Sequence, residues 1–158
     1  MRKPAFLAYQ FLNRLGSVEL KSEDKDSWAT KSDRGVQVLL WNFTPAITSE
    51  SNQRFYARDI PAKDAGSLSV SITGLPPGNY KREVYRIGYQ FNDVYGDYLK
   101  LGSPVNLNRT QVSTLAAKND GHAVSTERVR IGKGPFVYNT QIRENDVFLV
   151  TLERVNVR

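Results

Sequence analysis

The apolar positions change period once along the chain. From Arg2 to Gly16 they recur at helical spacing. At about 100° per residue, Leu7, Phe11, Leu15, Ala8, Leu12, Ala5 and Tyr9 sweep half of the helix circumference. Phe6 adds a further apolar position, and only Gln10, Asn13 and Arg14 form a polar strip. A helix lying on one core needs a stripe of about 100°. The wider stripe predicts either contact with two bodies or burial in the domain's own core. The first turn carries Pro4, and Gly16 follows the last periodic residue, so both ends are marked.

Beyond this helix the period falls to two. Trp28-Ala29-Thr30 and Val36 to Phe43 flank Ser32-Asp33-Arg34-Gly35, a hairpin turn. In Val36-Gln37-Val38-Leu39-Leu40-Trp41-Asn42-Phe43 both alternating sets are mostly apolar, which predicts a strand covered on both faces. Residues 44–66, with Phe55 and Tyr56 between Pro45 and Pro61, read as a long loop with room for a short edge strand. Leu68 to Thr73 alternates apolar with hydroxyl, as a half-exposed strand does. The turn Gly74-Leu75-Pro76-Pro77-Gly78-Asn79 leads into a strand over Tyr80 to Ile87. Residues 88–107 read as loop. Asn108 followed by Gln111 resembles a capping box opening a short helix with Val112, Leu115 and Ala116. Glu127 to Ile131, Phe136 to Ile142 and Val147 to Val155 read as strands, the last two joined through Glu144-Asn145-Asp146. The expected fold class is all-β: an antiparallel β-sandwich of seven or eight strands, with an N-terminal helix and one short helix.

The length of 158 residues allows one domain with a sizeable core. No apolar run reaches the length of a membrane span, and the interrupted N-terminal segment is no signal peptide. A soluble domain is expected, in the cytoplasm or the periplasm. The absence of cysteine excludes disulfides, thiolate metal sites and a cysteine nucleophile. The net charge of +6 raises nucleic acid as a partner. The basic residues are scattered, however, and Arg128, Arg130 and Lys133 alternate with Val129 and Ile131 as on the solvent face of a strand. Neither a nucleic-acid nor a membrane partner is expected.

Little of the sequence carries reaction chemistry. The single histidine, His122, lies in a polar loop and cannot form a multi-histidine metal site. Glycine-rich phosphate loops and Gly-x-Ser-x-Gly elbows are absent. Glu23, Asp24 and Asp26 cluster with Lys21 and Lys25, and Asp93 and Asp97 sit among aromatics. Paired-carboxylate catalysis needs a carboxyl of raised pKa, which neither group announces. No catalytic residue, metal site or cofactor is assigned. The notable constellation is Tyr85 to Tyr98, where Tyr85, Tyr89, Phe91, Tyr95 and Tyr98 are mixed with Arg86 and Asn92. Flat rings beside hydrogen-bonding groups suit three roles: packing over the sandwich's own end, an inter-domain contact, or direct contact with a saccharide.

With these residues in view, the chain resembles the C-terminal part of glycoside hydrolase family 39, the β-xylosidase and α-L-iduronidase family. Arg2 to Phe6 and Asn13 to Gly16 resemble the last helix of that family's catalytic (β/α)8 barrel. Val36 to Phe43 resembles the strand that follows in its accessory sandwich. Gly74 to Tyr80, Tyr85-Arg86-Ile87 and Gly102-Ser103-Pro104 resemble a hairpin and loop further on. Gly88 departs from the pattern, standing where an Asp is expected after Tyr-Arg-Ile. The resemblance implies that residues 1–16 are the terminal helix of a barrel and 17–158 an accessory β-sandwich. Phe6, Leu7, Phe11 and Leu15 would then face the barrel, the partner within the same parent chain. The family's acid/base glutamate sits in an Asn-Glu pair, which this sequence lacks, so both catalytic glutamates are expected before residue 1. The implied function is a non-catalytic brace of a retaining, β-xylosidase-like glycosidase, able to lend residues 88–98 to the active-site rim or a subunit contact in a homo-oligomer. A free-standing carbohydrate-binding module and an adhesion or assembly sandwich are the alternatives.

Overall fold

The computed structural model describes residues 2–45 and 58–155. The helix α1 (Pro4–Leu12) comes first. Eight strands follow: β1 (Val18–Glu19), β2 (Ser27–Ser32), β3 (Gly35–Trp41), β4 (Asp64–Ile72), β5 (Gly78–Ile87), β6 (Ser125–Ile131), β7 (Phe136–Arg143) and β8 (Val147–Arg154). Helices α2 (Tyr95–Lys100) and α3 (Arg109–Ala117) lie between β5 and β6. Among the described residues the strands form an antiparallel six-stranded sheet, in the order β1-β2-β3-β8-β5-β6, and a two-stranded sheet, β4-β7. The expected sandwich is present, with unequal layers.

The doubly apolar strand is explained by what lies on each face. On β3, Val36, Val38 and Leu40 point toward the small sheet. There they join Val70 of β4, Ile142 of β7, and Val84, Phe148 and Val150. Leu39 points the other way, where Leu149 of β8 and Tyr85 and Ile87 of β5 meet Leu7 and Phe11 of α1. The large sheet is therefore a middle layer, with the small sheet on one face and α1 on part of the other. β8 sits between β3 and β5, and its run Phe148-Leu149-Val150 feeds both layers, as a strand covered on both faces must.

The helix α1 is corrected in one respect. Leu7 and Phe11 do not face away toward another body; they are 0% and 1% exposed beneath the helix, against the sheet. Leu15 packs against the same cluster. Residues four apart lie on one stripe, and the outer sheet face supplies the apolar bed for that stripe. Of the four residues expected to face a barrel, Phe6 alone is turned outward, and Tyr9 and Leu12 join it, at 48%, 72% and 40% exposure. The helix thus carries two apolar sides, one satisfied within this fold and one bare. Gly16, past its end, passes so close to β2 that a Cβ there would lie 2.1 Å from the Lys31 carbonyl oxygen.

The capping box on α3 is present in full: Asn108 Oδ1 accepts from the Gln111 amide at 2.9 Å, and Gln111 Oε1 accepts from the Asn108 amide at 3.0 Å. The Asn108→Ala variant is expected to lose about 1 kcal/mol, measured by chemical denaturation, with the loss of protection in amide exchange confined to α3. Two elements are absent from the sequence reading. These are β1, which is only two residues long, and α2, which lies inside the stretch expected to be loop. The strand beginning at Val36 ends at Trp41, short of Phe43, and β4 begins earlier than expected, at Asp64. The Phe55-Tyr56 part of the long-loop expectation lies outside the described residues.

Candidate functional site

The aromatic stretch from Tyr85 to Tyr98 leaves the end of β5, folds back on itself and enters α2. The turn is tight: Gly88 and Phe91 exchange backbone hydrogen bonds at 2.8 and 2.9 Å. Gln90 and Asn92 adopt positive φ of 64° and 51°, a conformation that asparagine tolerates better than most residues. Asn92 is fastened on both sides, donating from Nδ2 to the Arg86 carbonyl at 2.8 Å and accepting from the Gly121 amide at 3.0 Å.

Beneath the turn lies a charged cluster. Asp146 is fully buried at the start of the β7–β8 connection's return. Its Oδ2 accepts from Arg86 Nη2 at 2.5 Å and from the Arg143 amide at 2.7 Å, with Arg143 Nε at 3.6 Å. The two guanidinium groups stack on the ring of Phe91, at 4.2 Å for Arg86 and 5.3 Å for Arg143, and Arg86 also lies 4.9 Å from the Phe148 ring. Arg143 then donates from Nη2 to the Tyr89 carbonyl at 2.6 Å. A planar cation over an aromatic face is attracted by the ring quadrupole, so Phe91 is held by both arginines while the arginines are held by one carboxylate. The departure at Gly88 now has a structural partner. A Cβ at residue 88 would fall 1.8 Å from Asp146 Oδ1, so the space beside residue 88 is filled by the carboxylate of Asp146.

The seven residues singled out from this stretch divide by position. Tyr85 is buried, and Phe91 is half-buried with both arginines against its ring. Tyr85 meets Phe11 edge-on at 5.8 Å, carries the Arg14 guanidinium 4.1 Å above its ring and donates from its hydroxyl to Glu83 at 3.1 Å. Burial raises the Tyr85 hydroxyl above the usual phenol range, and Glu83 adds to this against the opposing pull of Arg14. Arg86 and Asn92 are the fasteners already described. Tyr89, Tyr95 and Tyr98 are half-buried. Tyr95 and Tyr98 stand 6.1 Å apart with tilted rings, and the Tyr98 hydroxyl donates to the Pro104 carbonyl at 3.2 Å. The Tyr89 hydroxyl is raised by partial desolvation and by its hydrogen bond with Asp59. A recess of about 460 Å³ opens here, lined by Tyr89, Gln90, Asp93, Asp97, Lys118 and His122 among others.

The carboxylates in this recess have structural work. Asp93 accepts from the Tyr95 amide at 3.1 Å, and Asp97 pairs with Lys118 at 3.0 Å. His122 pairs with Asp120, whose carboxyl is lowered mainly by the backbone amide of His122. Among the described residues no group of three or more His, Cys, Asp or Glu side chains stands together as metal ligands would, and no helix is long and apolar enough to cross a membrane. Arg143 and Asp146 belong to this site and are missed by sequence reading. Asp146 reads there only as part of a turn.

Neither a protein-family model nor a curated protein matches the chain. Solved structures do. A family 39 glycoside hydrolase from Xanthomonas axonopodis pv. citri superposes with a TM-score of 0.91 at 34% identity, covering 98% of this chain and 31% of its own. A β-xylosidase from Caulobacter crescentus CB15, described as monomeric, matches with a TM-score of 0.91 at 33% identity over the same shares. A second family 39 β-xylosidase from Caulobacter crescentus matches at 0.73 and 27% identity. The chain is a region of a glycoside hydrolase. It corresponds to the C-terminal region of a family 39 enzyme. It spans about a third of the length of these relatives (31% of the first two).

Proposed function

We propose that this chain is the non-catalytic sandwich of a retaining, β-xylosidase-like glycoside hydrolase, and that it braces the catalytic (β/α)8 barrel of the same parent chain. The observation that carries this reading is the two-sided helix. The inner stripe of α1, Leu7 and Phe11, is consumed by the sheet. Its outer stripe of Phe6, Tyr9 and Leu12 leaves large apolar groups in water. Fully burying one such side chain gains about 1.5–3 kcal/mol, so a second body seated on this stripe would be held firmly. Residues 1–16 are then the barrel's terminal helix, and 17–158 the accessory domain. In the whole enzyme one glutamate would act as nucleophile and another as acid/base, both outside this chain.

The aromatic turn fits a second part of the same role. Tyr89, Tyr95 and Tyr98 are mounted on a foundation fastened by Asp146, Arg86 and Arg143, so the loop presents a fixed edge, either to the active-site rim or to a neighbouring subunit. Such an edge needs little ordering when a partner arrives. The purified 158-residue chain is expected to show no turnover of an aryl β-xyloside. Hydrolysis above the uncatalysed rate, abolished by substituting one of its own glutamates or aspartates, would overturn the reading.

A further inference from the structure

We propose that residues 119–121, in the connection between α3 and β6, couple the helix α1 to the aromatic turn, so that a second body seated on α1 steadies the turn without touching it. This short junction is fastened on two sides. Toward the helix, Asn119, 2% exposed, donates from Nδ2 to the Arg2 carbonyl, and Arg2 Nη1 donates to the Asp120 carbonyl at 2.7 Å. Toward the turn, the Gly121 amide donates to Asn92 Oδ1 at 3.0 Å. Asn92 carries the link onward by donating to the Arg86 carbonyl at 2.8 Å. The two sides meet at Gly121. Its φ is 80°, and a Cβ there would lie 2.8 Å from Leu7 Cδ2 and 3.2 Å from Gln10 Oε1. Glycine supplies both the left-handed backbone and the close approach. The junction's backbone therefore rests against the inner side of α1 while its amide holds the turn.

The helix is the element with two states. It has nine residues and no side chain capping its start, and a helix of that length does not persist alone in water. It is helical because Leu7 and Phe11 are docked on the sheet. Docked, it presents Arg2 and Leu7 to the junction. Lifted, it withdraws both, and the junction loses two hydrogen bonds and an apolar neighbour. Asn92 then bonds to an amide that is no longer fixed. It sits at φ 51°, a conformation that an L-residue keeps only while its surroundings hold it. The paired backbone bonds between Gly88 and Phe91 open more readily as a result. The contact of Phe11 with Tyr85 does not carry this link, because it lands on β5, whose ladder with β8 runs on through Tyr85, Arg86 and Ile87.

Coupling between two places is reciprocal. A body that holds α1 down protects the turn, and a partner that holds the turn protects α1. The use of the link rests on the bracing role: with the barrel seated on Phe6, Tyr9 and Leu12, the turn meets its own contact already ordered. The link itself does not rest on that role. Its failure would leave the bracing role standing, and failure of the barrel to bind would leave the link standing.

The test is amide hydrogen exchange on the 158-residue chain, with one variant at each end of the link. Arg2→Ala removes an exposed side chain that ties α1 to the junction. It is expected to raise exchange about three- to tenfold at residues 6–12, as loss of one hydrogen bond does, and at least about twofold at Gly88, Phe91 and Gly121. Asn92→Gly keeps a backbone free to adopt positive φ and removes both side-chain bonds. It should raise exchange at Gly88, Phe91 and Gly121 and, across the junction, at residues 6–12. Amides of β4 and β7 report opening of the whole fold and should keep their rates in both variants. In the double variant the increases should fall short of the product of the single ones. The proposal is overturned if Arg2→Ala acts on the helix alone and Asn92→Gly on the turn alone. It is equally overturned if the two factors multiply in the double variant, or if β4 and β7 speed up by the same factor as the helix and the turn.

Discussion

Replacing Asp146 by alanine is expected to destabilise the chain by about 3–5 kcal/mol. Its carboxylate is fully buried between Arg86 and Arg143. Removing it leaves two guanidinium groups close together in a low-dielectric site with no counter-charge, and an uncompensated buried charge is among the costliest single changes in a fold. The loss extends beyond the ion pairs. Arg86 and Arg143 are the plates that hold Phe91, and Arg143 anchors the Tyr89 carbonyl, so the aromatic turn should loosen. Urea unfolding reads the energy, and amide exchange at residues 88–92 reads the loosening. Asp146→Asn keeps the shape but not the charge and should fall between wild type and Asp146→Ala. A loss below about 1 kcal/mol for the alanine variant, with the turn still protected, would show that the cluster behaves as an exposed ion pair does.

The Phe11→Ala variant is expected to cost about 3–5 kcal/mol. Phe11 is 1% exposed, meets Tyr85 edge-on, and closes the cluster of Leu7, Leu39, Ile87 and Leu149. A cavity between a short helix and a sheet is hard to refill, because the helix is held at its start by few other ties. These are Asn119, which donates to the Arg2 carbonyl, and Arg2, which donates to the Asp120 carbonyl at 2.7 Å. Denaturant midpoints give the energy, and exchange at residues 5–13 shows whether the helix leaves the sheet before the sandwich unfolds. The Tyr9→Ala variant, on the opposite side of the same helix, should change the stability of the chain by less than about 0.5 kcal/mol. Equal effects at positions 9 and 11 would contradict the two-sided arrangement.

The strand pattern was legible because period-two alternation reports directly on which face is buried. Val36 to Phe43 announced two covered faces, and the structure supplies two different covers as far as Trp41, while Phe43 lies beyond the strand and is exposed. The Asn108–Gln111 box was legible because it is a local interaction, three residues apart. The apolar excess of α1 was also visible, but not its division. Periodicity counts Leu7 and Phe6 alike, and only the placement of Leu39 and Leu149 below the helix decides which one is inside. For the same reason the five aromatics could not be sorted in advance. Tyr85 is buried and Phe91 is clasped because Phe11, Arg14 and Arg143 come to them from far along the chain, with Arg86 closing on Phe91 from nearby. Asp146 was hidden most thoroughly. A turn acidic residue is ordinarily solvated, and its burial depends on β8 lying beside β5, so that Arg86 and Asp146 meet across 60 residues.

The most direct measurement is the association of the purified chain with the separately produced remainder of its parent, compared between wild type and a Tyr9→Asp, Leu12→Asp double variant. Both positions are exposed in the chain alone, so its own melting midpoint should not move. If α1 presents its outer stripe to a barrel, wild type binds and the variant binds at least about 30-fold more weakly, as loss of an apolar anchor of 2 kcal/mol or more requires. Failure of the wild-type chain to bind, or equal affinity in the variant, would contradict the bracing role.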